Sequence, residues 1–187
     1  MENVRAAITA LSASPSAEVD SIFTNLRLRK LAKGDFLLKS GQICTQYYFI
    51  EQGSVRLFYR KEEIDYTVWI GSPGEIFTNL ESYLGGSKSR INIQAMESSQ
   101  VYVINKSASD ALAAQSIAYG TVLRKTVELA FVQLSKNVIS FQSEKAAERY
   151  ERVEKEKNWL TKYPLKYIST FIGVTQSSLS RIRAKKK

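Results

Sequence analysis

The sequence predicts an α+β fold: a block of short antiparallel strands, then a long helix and a small helical domain. Seven of the nine glycines lie between residues 33 and 104, where they separate short runs rich in β-branched and aromatic residues. Residues 108–141 contain no proline and a single glycine, and their apolar residues recur at helical spacing. Residues 165–184 have the spacing of a helix-turn-helix.

Residues 1–30 are predicted as a weakly helical lead-in. The strands that follow are short and separated by glycine turns, which is typical of an antiparallel sandwich or barrel and not of βαβ units. In the last strand but one, Ile91, Ile93 and Ala95 alternate with polar residues, so one face is expected to be buried. The predicted strands are 36–38, 47–50, 55–59, 66–70, 91–95 and 101–104.

A long helix is predicted after the strands, with an apolar stripe formed by Leu123, Val127, Ala130, Leu134 and Phe141. Asn137 lies on the same stripe. The stripe fits either packing against its own domain or a seam with a second copy of the chain, in which a polar Asn can set the register. We therefore expect a domain at 1–107, a long connecting helix at 108–141, which is also a dimerisation helix if the stripe forms such a seam, and a helical domain at 142–187.

In the segment 142–156, acids and bases lie three and four residues apart, which predicts a solvated helical face. Tyr163-Pro164 then interrupts the helix, because a residue before proline avoids the helical region.

Composition excludes several classes of function. The chain of 187 residues has no histidine and a single cysteine, Cys44. Without histidine there is no Ser-His-Asp or Cys-His pair, no HExxH zinc site and no histidine-ligated haem, and one cysteine cannot hold an iron–sulfur cluster. We expect no enzyme activity and neither of these cofactors. No apolar run reaches membrane-spanning length, so a cytoplasmic protein without a membrane partner is expected.

The net charge of +9 is concentrated at one end of the chain. Residues 1–110 carry 12 basic and 12 acidic side chains, whereas residues 111–187 carry 15 basic and 6 acidic ones. Such an asymmetry points to a polyanionic partner, with nucleic acid favoured over a membrane.

The helix-turn-helix pattern is complete in its details. Ser169 is the small residue where two helices touch, and Gly173 provides the turn. Thr175 stands where a hydroxyl would cap the second helix. The five positions expected to face inward are all apolar: Ile168, Ile172, Val174, Leu179 and Ile182.

The second helix, 176–185, is predicted to expose polar side chains that suit double-stranded DNA. Arg181 can pair with the O6 and N7 of guanine, and Gln176 with the N6 and N7 of adenine. Lys185, Lys186 and Lys187 are expected to contact phosphates. The expected DNA-binding residues are Thr175, Gln176, Ser177, Ser178, Ser180, Arg181, Lys185 and Lys186.

Several motifs occur in a characteristic order; they begin at Lys33-Gly34-Asp35, Tyr48-Phe49-Ile50, Pro73-Gly74-Glu75, Ile93-Gln94-Ala95, Ala147-Glu148-Arg149, Pro164-Leu165-Lys166 and Leu179-Ser180-Arg181. Through them the chain resembles the CRP/FNR family of bacterial transcription regulators, in particular its Bacteroidetes-type branch, over nearly all of residues 20–187. The resemblance implies a cyclic-nucleotide-binding-like β-roll (a double-stranded β-helix), a long helix that pairs in a homodimer and a winged-helix-like DNA-binding domain. The resemblance also implies RNA polymerase as a further partner.

The sequence departs from its relatives where cyclic AMP would bind. Family members that bind cyclic AMP carry Gly-Glu after a phenylalanine, and later an Arg-Ser or Arg-Thr pair that holds the cyclic phosphate. Here Phe77 is followed by Thr78-Asn79-Leu80-Glu81, and Arg90 stands one place from its expected position. Residues that could still form an effector pocket are Asn79, Glu81, Lys88, Ser89 and Arg90. The effector is therefore unknown, and cyclic AMP is disfavoured.

Two readings of function stay open. The leading one is a dimeric, sequence-specific transcription regulator. The alternative is a small-molecule-binding β-roll whose basic tail binds polyanions without regard to sequence. A third reading, a cupin-like enzyme, is disfavoured because the chain lacks the metal-binding histidines that such enzymes use.

Overall fold

The computed structural model of the protein describes residues 2–156 and 159–184. It divides into two compact units. The first, which we call the roll unit, comprises Met1–Leu57 and Ile70–Ala130; the second, the helical unit, comprises Phe58–Trp69 and Phe131–Lys187.

The strands of the described residues form two four-stranded sheets. One has the order β1-β8-β3-β6 and the other β2-β7-β4-β5. Every register that the structure gives between strands is antiparallel, with Phe49 of β3 opposite Tyr102 of β8. The strands are β1 (Arg27–Leu31), β2 (Phe36–Leu38), β3 (Gln46–Gln52), β4 (Val55–Lys61), β5 (Ile64–Gly71), β6 (Ile76–Phe77), β7 (Asn92–Ala95) and β8 (Ser99–Asn105).

The helical lead-in forms α1 (Glu2–Ser12) and α2 (Ser16–Phe23). Strand β3 is buried at consecutive positions, from Tyr47 to Glu51, and does not alternate. The reason is that α1 packs against β3 and buries Val4 and Ile8 completely.

Burial alone would raise the pKa of Glu51, but the backbone amides of Val4 and Asn3 donate to its carboxylate and lower that pKa.

The antiparallel strand block and the burial of one face of β7 confirm the predicted architecture: Ile93 and Ala95 are buried and Asn92 and Gln94 are half-buried. The sequence pattern does not predict β1, β6 or the short helix α3 (Leu80–Gly85). β1 is an edge strand with three basic residues in five, and such charge on an edge prevents pairing with another chain. It therefore lacks the apolar pattern by which strands are recognised.

The expected single helix at 108–141 is two helices, α4 (Lys106–Gln115) and α5 (Ile117–Ser143). They are separated by Ser116, whose backbone is extended (φ −121°, ψ 109°). The Ser116 hydroxyl accepts a hydrogen bond from the Tyr119 amide at 3.1 Å and so caps the start of α5. A serine in a helical pattern gives no sign of this break unless its cap partner is known.

Among its described residues, the helical unit contains the distal part of the β4–β5 hairpin, the second half of α5 and four shorter helices: α6 (Ala146–Glu156), α7 (Trp159–Lys162), α8 (Leu165–Phe171) and α9 (Gln176–Ala184). Pro164 lies immediately before α8, as the predicted break requires. Trp159 of α7 is buried and packs edge-on against Phe171 of α8 and Trp69 of β5, with ring centroids 4.9 and 5.8 Å apart. The Thr67 amide of β5 donates to Thr170 Oγ1 of α8 at 3.1 Å.

Candidate functional site

The turn between α8 and α9 has the geometry that the sequence predicts. Gly173 has φ +75°, a conformation that glycine adopts without strain. The amides of Gly173 and Val174 donate to the carbonyls of Thr170 and Ser169 at 3.2 and 2.9 Å, which closes the end of α8. Ser169 is almost completely buried, as its place at the helix contact requires.

Thr175 caps α9 as predicted, because its Oγ1 accepts a hydrogen bond from the Ser178 amide at 3.2 Å. Of the five residues expected to face inward, Ile168, Ile172 and Leu179 are buried, while Val174 and Ile182 are half-buried. The α8–α9 pair therefore has a small apolar core of its own.

One face of α9 is exposed and polar. Gln176, Ser177, Ser180 and Arg181 are exposed, and their spacing along a helix places them on one side. Ser178 is half-buried and its hydroxyl accepts a hydrogen bond from that of Thr175. Lys185 and Lys186 lie outside the described residues.

The second half of α5 carries apolar side chains that the chain itself leaves exposed. Leu134 is 59% and Phe141 51% exposed, and Val127 and Ala130 of the predicted stripe are exposed as well, whereas Leu123 is half-buried. Asn137 is also half-buried and accepts a hydrogen bond from Gln133 Nε2 at 3.1 Å. Further exposed apolar residues on α5 are Leu129, Phe131, Val132, Val138 and Ile139.

The segment 142–156 departs from a simple solvated face. Arg149 and Arg152 are half-buried. Arg149 donates to the carbonyl of Ile172 from Nε at 2.8 Å, and Arg152 Nη2 donates to Ser140 Oγ at 2.6 Å. The spacing of acids and bases along α6 could not show this, because both partners lie outside that helix.

The expected effector residues separate into two groups. Asn79 and Ser89 are buried, and Asn79 Nδ2 donates to Ser89 Oγ at 2.6 Å. The Ser89 hydroxyl also donates to the carbonyl of Ile91 at 2.7 Å. Lys88 is exposed. Arg90 and Glu81 are largely exposed and form an ion pair at 2.9 Å. The structure thus brings Asn79 and Ser89 together inside the roll and leaves the charged residues at its surface.

A cyclic phosphate would need a guanidinium and free hydroxyl or amide groups on one inner surface. Here the Ser89 hydroxyl and the Asn79 amide bind each other, and Arg90 pairs with Glu81 at the surface. In this structure these residues, which are expected to line an effector pocket, are therefore bonded to one another. In the described part of the chain, no helix has the length and apolar character to cross a membrane.

Comparison with known proteins gives the same architecture. Residues 28–116 match the cyclic nucleotide-binding domain family. A CooA double mutant from Carboxydothermus hydrogenoformans superposes with a TM-score of 0.71 at 15% identity, covering 88% of this chain and 78% of that one. FixK2 from Bradyrhizobium japonicum gives 0.71 at 16% identity, with 86% and 83% covered.

The regulator CLP of Xanthomonas campestris, described as responsive to c-di-GMP, gives a TM-score of 0.70 at 12% identity, with 92% of this chain and 91% of that one covered. The chain therefore has a CRP-like fold, with the predicted roll, long helix and helical C-terminal region. A search of curated protein sequences finds no match. The Bacteroidetes-type branch stays a prediction.

Proposed function

We propose that the protein is a sequence-specific transcription regulator that binds double-stranded DNA as a homodimer, with α9 in the major groove. The observation that carries this proposal is the exposed polar face of α9, formed by Gln176, Ser177, Ser180 and Arg181 on a capped helix after a glycine turn. The CRP-like fold supports it, since the CRP/FNR regulators use this part of the fold to bind DNA.

Each exposed group has a distinct use on DNA. Arg181 presents a planar fork of donors that matches the two acceptors of guanine, and Gln176 can both donate to and accept from adenine. Each such pair contributes about 1–3 kcal/mol of discrimination against the wrong base. Lys186, which lies outside the described residues, is expected to contact phosphate and to carry no sequence information.

The test of DNA recognition is selection of binding sites from random duplexes. We expect one enriched palindrome. Arg181→Ala should relax the preference at one position of each half-site, whereas Lys186→Ala should weaken binding to all sequences alike and reduce the salt slope by about one unit. Recovery of no enriched sequence would contradict the proposal.

We propose that the exposed apolar face of α5 packs against a second copy of the chain. The stripe from Val127 to Phe141 repeats at heptad spacing, which is the pattern by which two helices pack along each other. Two-fold symmetry would then present two α9 helices to successive major grooves, about 34 Å apart.

Sedimentation equilibrium tests the dimer. Leu134→Gln places an amide in the stripe and should shift the equilibrium toward monomer, while Lys136→Gln, an exposed control on the same helix, should leave it unchanged. Equal masses for both variants and the wild type would contradict the α5 seam.

The proposed regulator does not respond to cyclic AMP, and its effector is unidentified. The internal Asn79–Ser89 hydrogen bond and the surface Arg90–Glu81 pair support this. Calorimetric titration with cyclic AMP should give no saturable heat. c-di-GMP should be titrated in the same way, because one structural neighbour, CLP, is described as responsive to that ligand. Saturable binding of one cyclic AMP per chain would overturn this part of the proposal.

The match of residues 28–116 to a ligand-binding domain family favours one alternative, a small-molecule-binding roll with a basic tail that binds polyanions without sequence preference. The selection experiment separates the two, since this alternative gives strong, salt-dependent binding and no enriched sequence. Contact with RNA polymerase is a further part of the regulator proposal, to be tested by transcription from a promoter that carries the selected site.

A further inference from the structure

One arginine of α6 touches the ends of two other helices. Arg149 Nε donates to the carbonyl of Ile172, the residue immediately after α8, at 2.8 Å. Its Nη1 donates to the carbonyl of Glu144, immediately beyond α5. Its guanidinium carbon lies 5.1 Å from the centre of the Phe141 ring, in the last turn of α5.

The two carbonyls that Arg149 binds lie where helices leave such groups unpaired. The last carbonyls of a helix have no partner within it and carry partial negative charge. A guanidinium is suited to this place, because its donors are held in a rigid plane and can bind two acceptors at once. A lysine carries the same charge without that fixed geometry.

The turn before α9 also lies against the end of α5. A Cβ placed on Gly173 would stand 2.8 Å from Cε1 of the Phe141 ring, closer than such atoms approach. Gly173, Phe141 and Arg149 therefore form one contact, in which the turn meets the ring and the guanidinium binds the adjacent carbonyl. All of these residues belong to the helical unit.

We propose that Arg149 is a positioning residue, which fixes the direction of α9 relative to the second half of α5. This inference rests on the proposed function, in which α5 lies at the two-fold axis and α9 enters the major groove. Because α8 and α9 share an apolar core, they move together, and the Ile172 carbonyl is their attachment to Arg149. The angle held at Arg149 then sets the distance between the two α9 helices of a dimer.

The consequence for DNA is a preference for one half-site spacing. A dimer with rigidly held recognition helices binds well only where two half-sites lie at the matching separation. When the attachment is loosened, the best spacing loses affinity and the unfavourable spacings lose less. This flattening distinguishes a positioning residue from a phosphate contact, whose loss weakens every duplex alike.

Arg152 is a matched control. It lies on the same helix and carries the same charge, but its Nη2 donates to Ser140 Oγ at 2.6 Å and its Nε forms an ion pair with the Glu144 carboxylate at 3.5 Å. Arg149→Ala and Arg152→Ala therefore remove equal charge from neighbouring positions, and the first alone removes the bond to the Ile172 carbonyl.

The experiment measures Kd for the selected palindrome and for duplexes with one to three base pairs added or removed at its centre. For the wild type we expect a sharp optimum. Arg149→Ala should bind the optimal duplex about tenfold more weakly, since a charged hydrogen bond is lost, and should show a flattened spacing profile. Arg149→Lys should behave like Arg149→Ala, and Arg152→Ala should keep the sharp optimum.

Far-UV circular dichroism and thermal melting establish that each variant is folded, and Arg149→Lys serves if Arg149→Ala fails to fold. A folded Arg149 variant with the wild-type spacing profile would overturn the inference, as would full recovery in Arg149→Lys. A wild type without an enriched palindrome would instead contradict the proposed function, so the two failures are distinguishable.

Discussion

The roll and the second helix of the helix-turn-helix use their polar groups in opposite ways. In the roll, buried Ser89 receives hydrogen bonds from the Asn79 side chain and the Ile91 amide, so its bonding capacity is used within the fold. On α9, the side chains of Gln176 and Arg181 stand in solvent. Polar groups of the first kind hold a structure together, and those of the second kind are available to a partner.

The same contrast holds for apolar groups. The core of the roll buries large apolar side chains, with Phe49 and Ile93 completely enclosed. The second half of α5 leaves Leu134, Phe131 and Ile139 mostly exposed. Clustering of exposed apolar side chains on one helix is typical of an interaction site, whereas exposed apolar residues of the roll, such as Leu28, Ile43 and Leu84, are spread over several elements.

The largest expected effect is in the roll core. Phe49→Ala should lower the free energy of unfolding by about 3–5 kcal/mol, because it removes a fully buried ring and leaves a cavity. Urea unfolding followed by circular dichroism measures this. Gln176→Ala on α9 should change that free energy by less than about 0.5 kcal/mol. Similar losses for both variants would remove the contrast.

Two serine-to-alanine substitutions, one in the roll and one on α9, remove the same hydroxyl group from the two regions. Ser89→Ala should cost about 1–3 kcal/mol of stability, since the Asn79 amide and the Ile91 amide lose their acceptor. Ser180→Ala, on the exposed face of α9, should leave stability unchanged and weaken DNA binding. The contrast is broken if Ser180→Ala destabilises the protein as much as Ser89→Ala does.

How far the sequence predicts a contact in this structure depends on how close in sequence the two contacting residues lie. The glycine-separated strands, the turn at Gly173 and the cap at Thr175 follow from neighbouring residues, and the structure contains all of them. The role of Arg149 does not follow, because its acceptor at Ile172 lies 23 residues away and an exposed helix shows the same pattern of charges. The Asn79–Ser89 hydrogen bond is hidden for the same reason.

Alkaline pH should destabilise the roll. Burial, followed by the charges of Tyr83, Asp110 and Cys44, raises the pKa of Tyr47 from 10.0 to about 12. The folded state therefore keeps a proton that the unfolded state loses above pH 10, so stability is full below pH 10 and falls as the pH rises toward 12. We expect a loss of about 1 kcal/mol by pH 11 from this residue.

Urea unfolding between pH 9 and pH 11 measures this dependence. Tyr47→Phe cannot ionise at that position and should show a shallower loss of stability over the same range. An unchanged slope in Tyr47→Phe would contradict the assignment to this phenol.

An effect of similar size is expected at the start of α9. Thr175→Ala should cost about 1 kcal/mol of stability, because the Ser178 amide loses the hydroxyl that accepts its hydrogen bond. Thr175→Ser keeps that hydroxyl and should remain within a few tenths of a kcal/mol of the wild type. Thermal melting compares the two, and equal melting temperatures for the alanine and serine variants would exclude the cap.

We propose that the exposed face of α9 recognises DNA sequence, while the polar groups of the roll stabilise the fold. The most direct measurement is binding-site selection with the wild type, Arg181→Ala and Ser89→Ala side by side. We expect one palindrome for the wild type, lost preference at one base pair of each half-site for Arg181→Ala, and the wild-type palindrome for Ser89→Ala. An identical preference in Arg181→Ala and the wild type, or no enriched sequence at all, would contradict it.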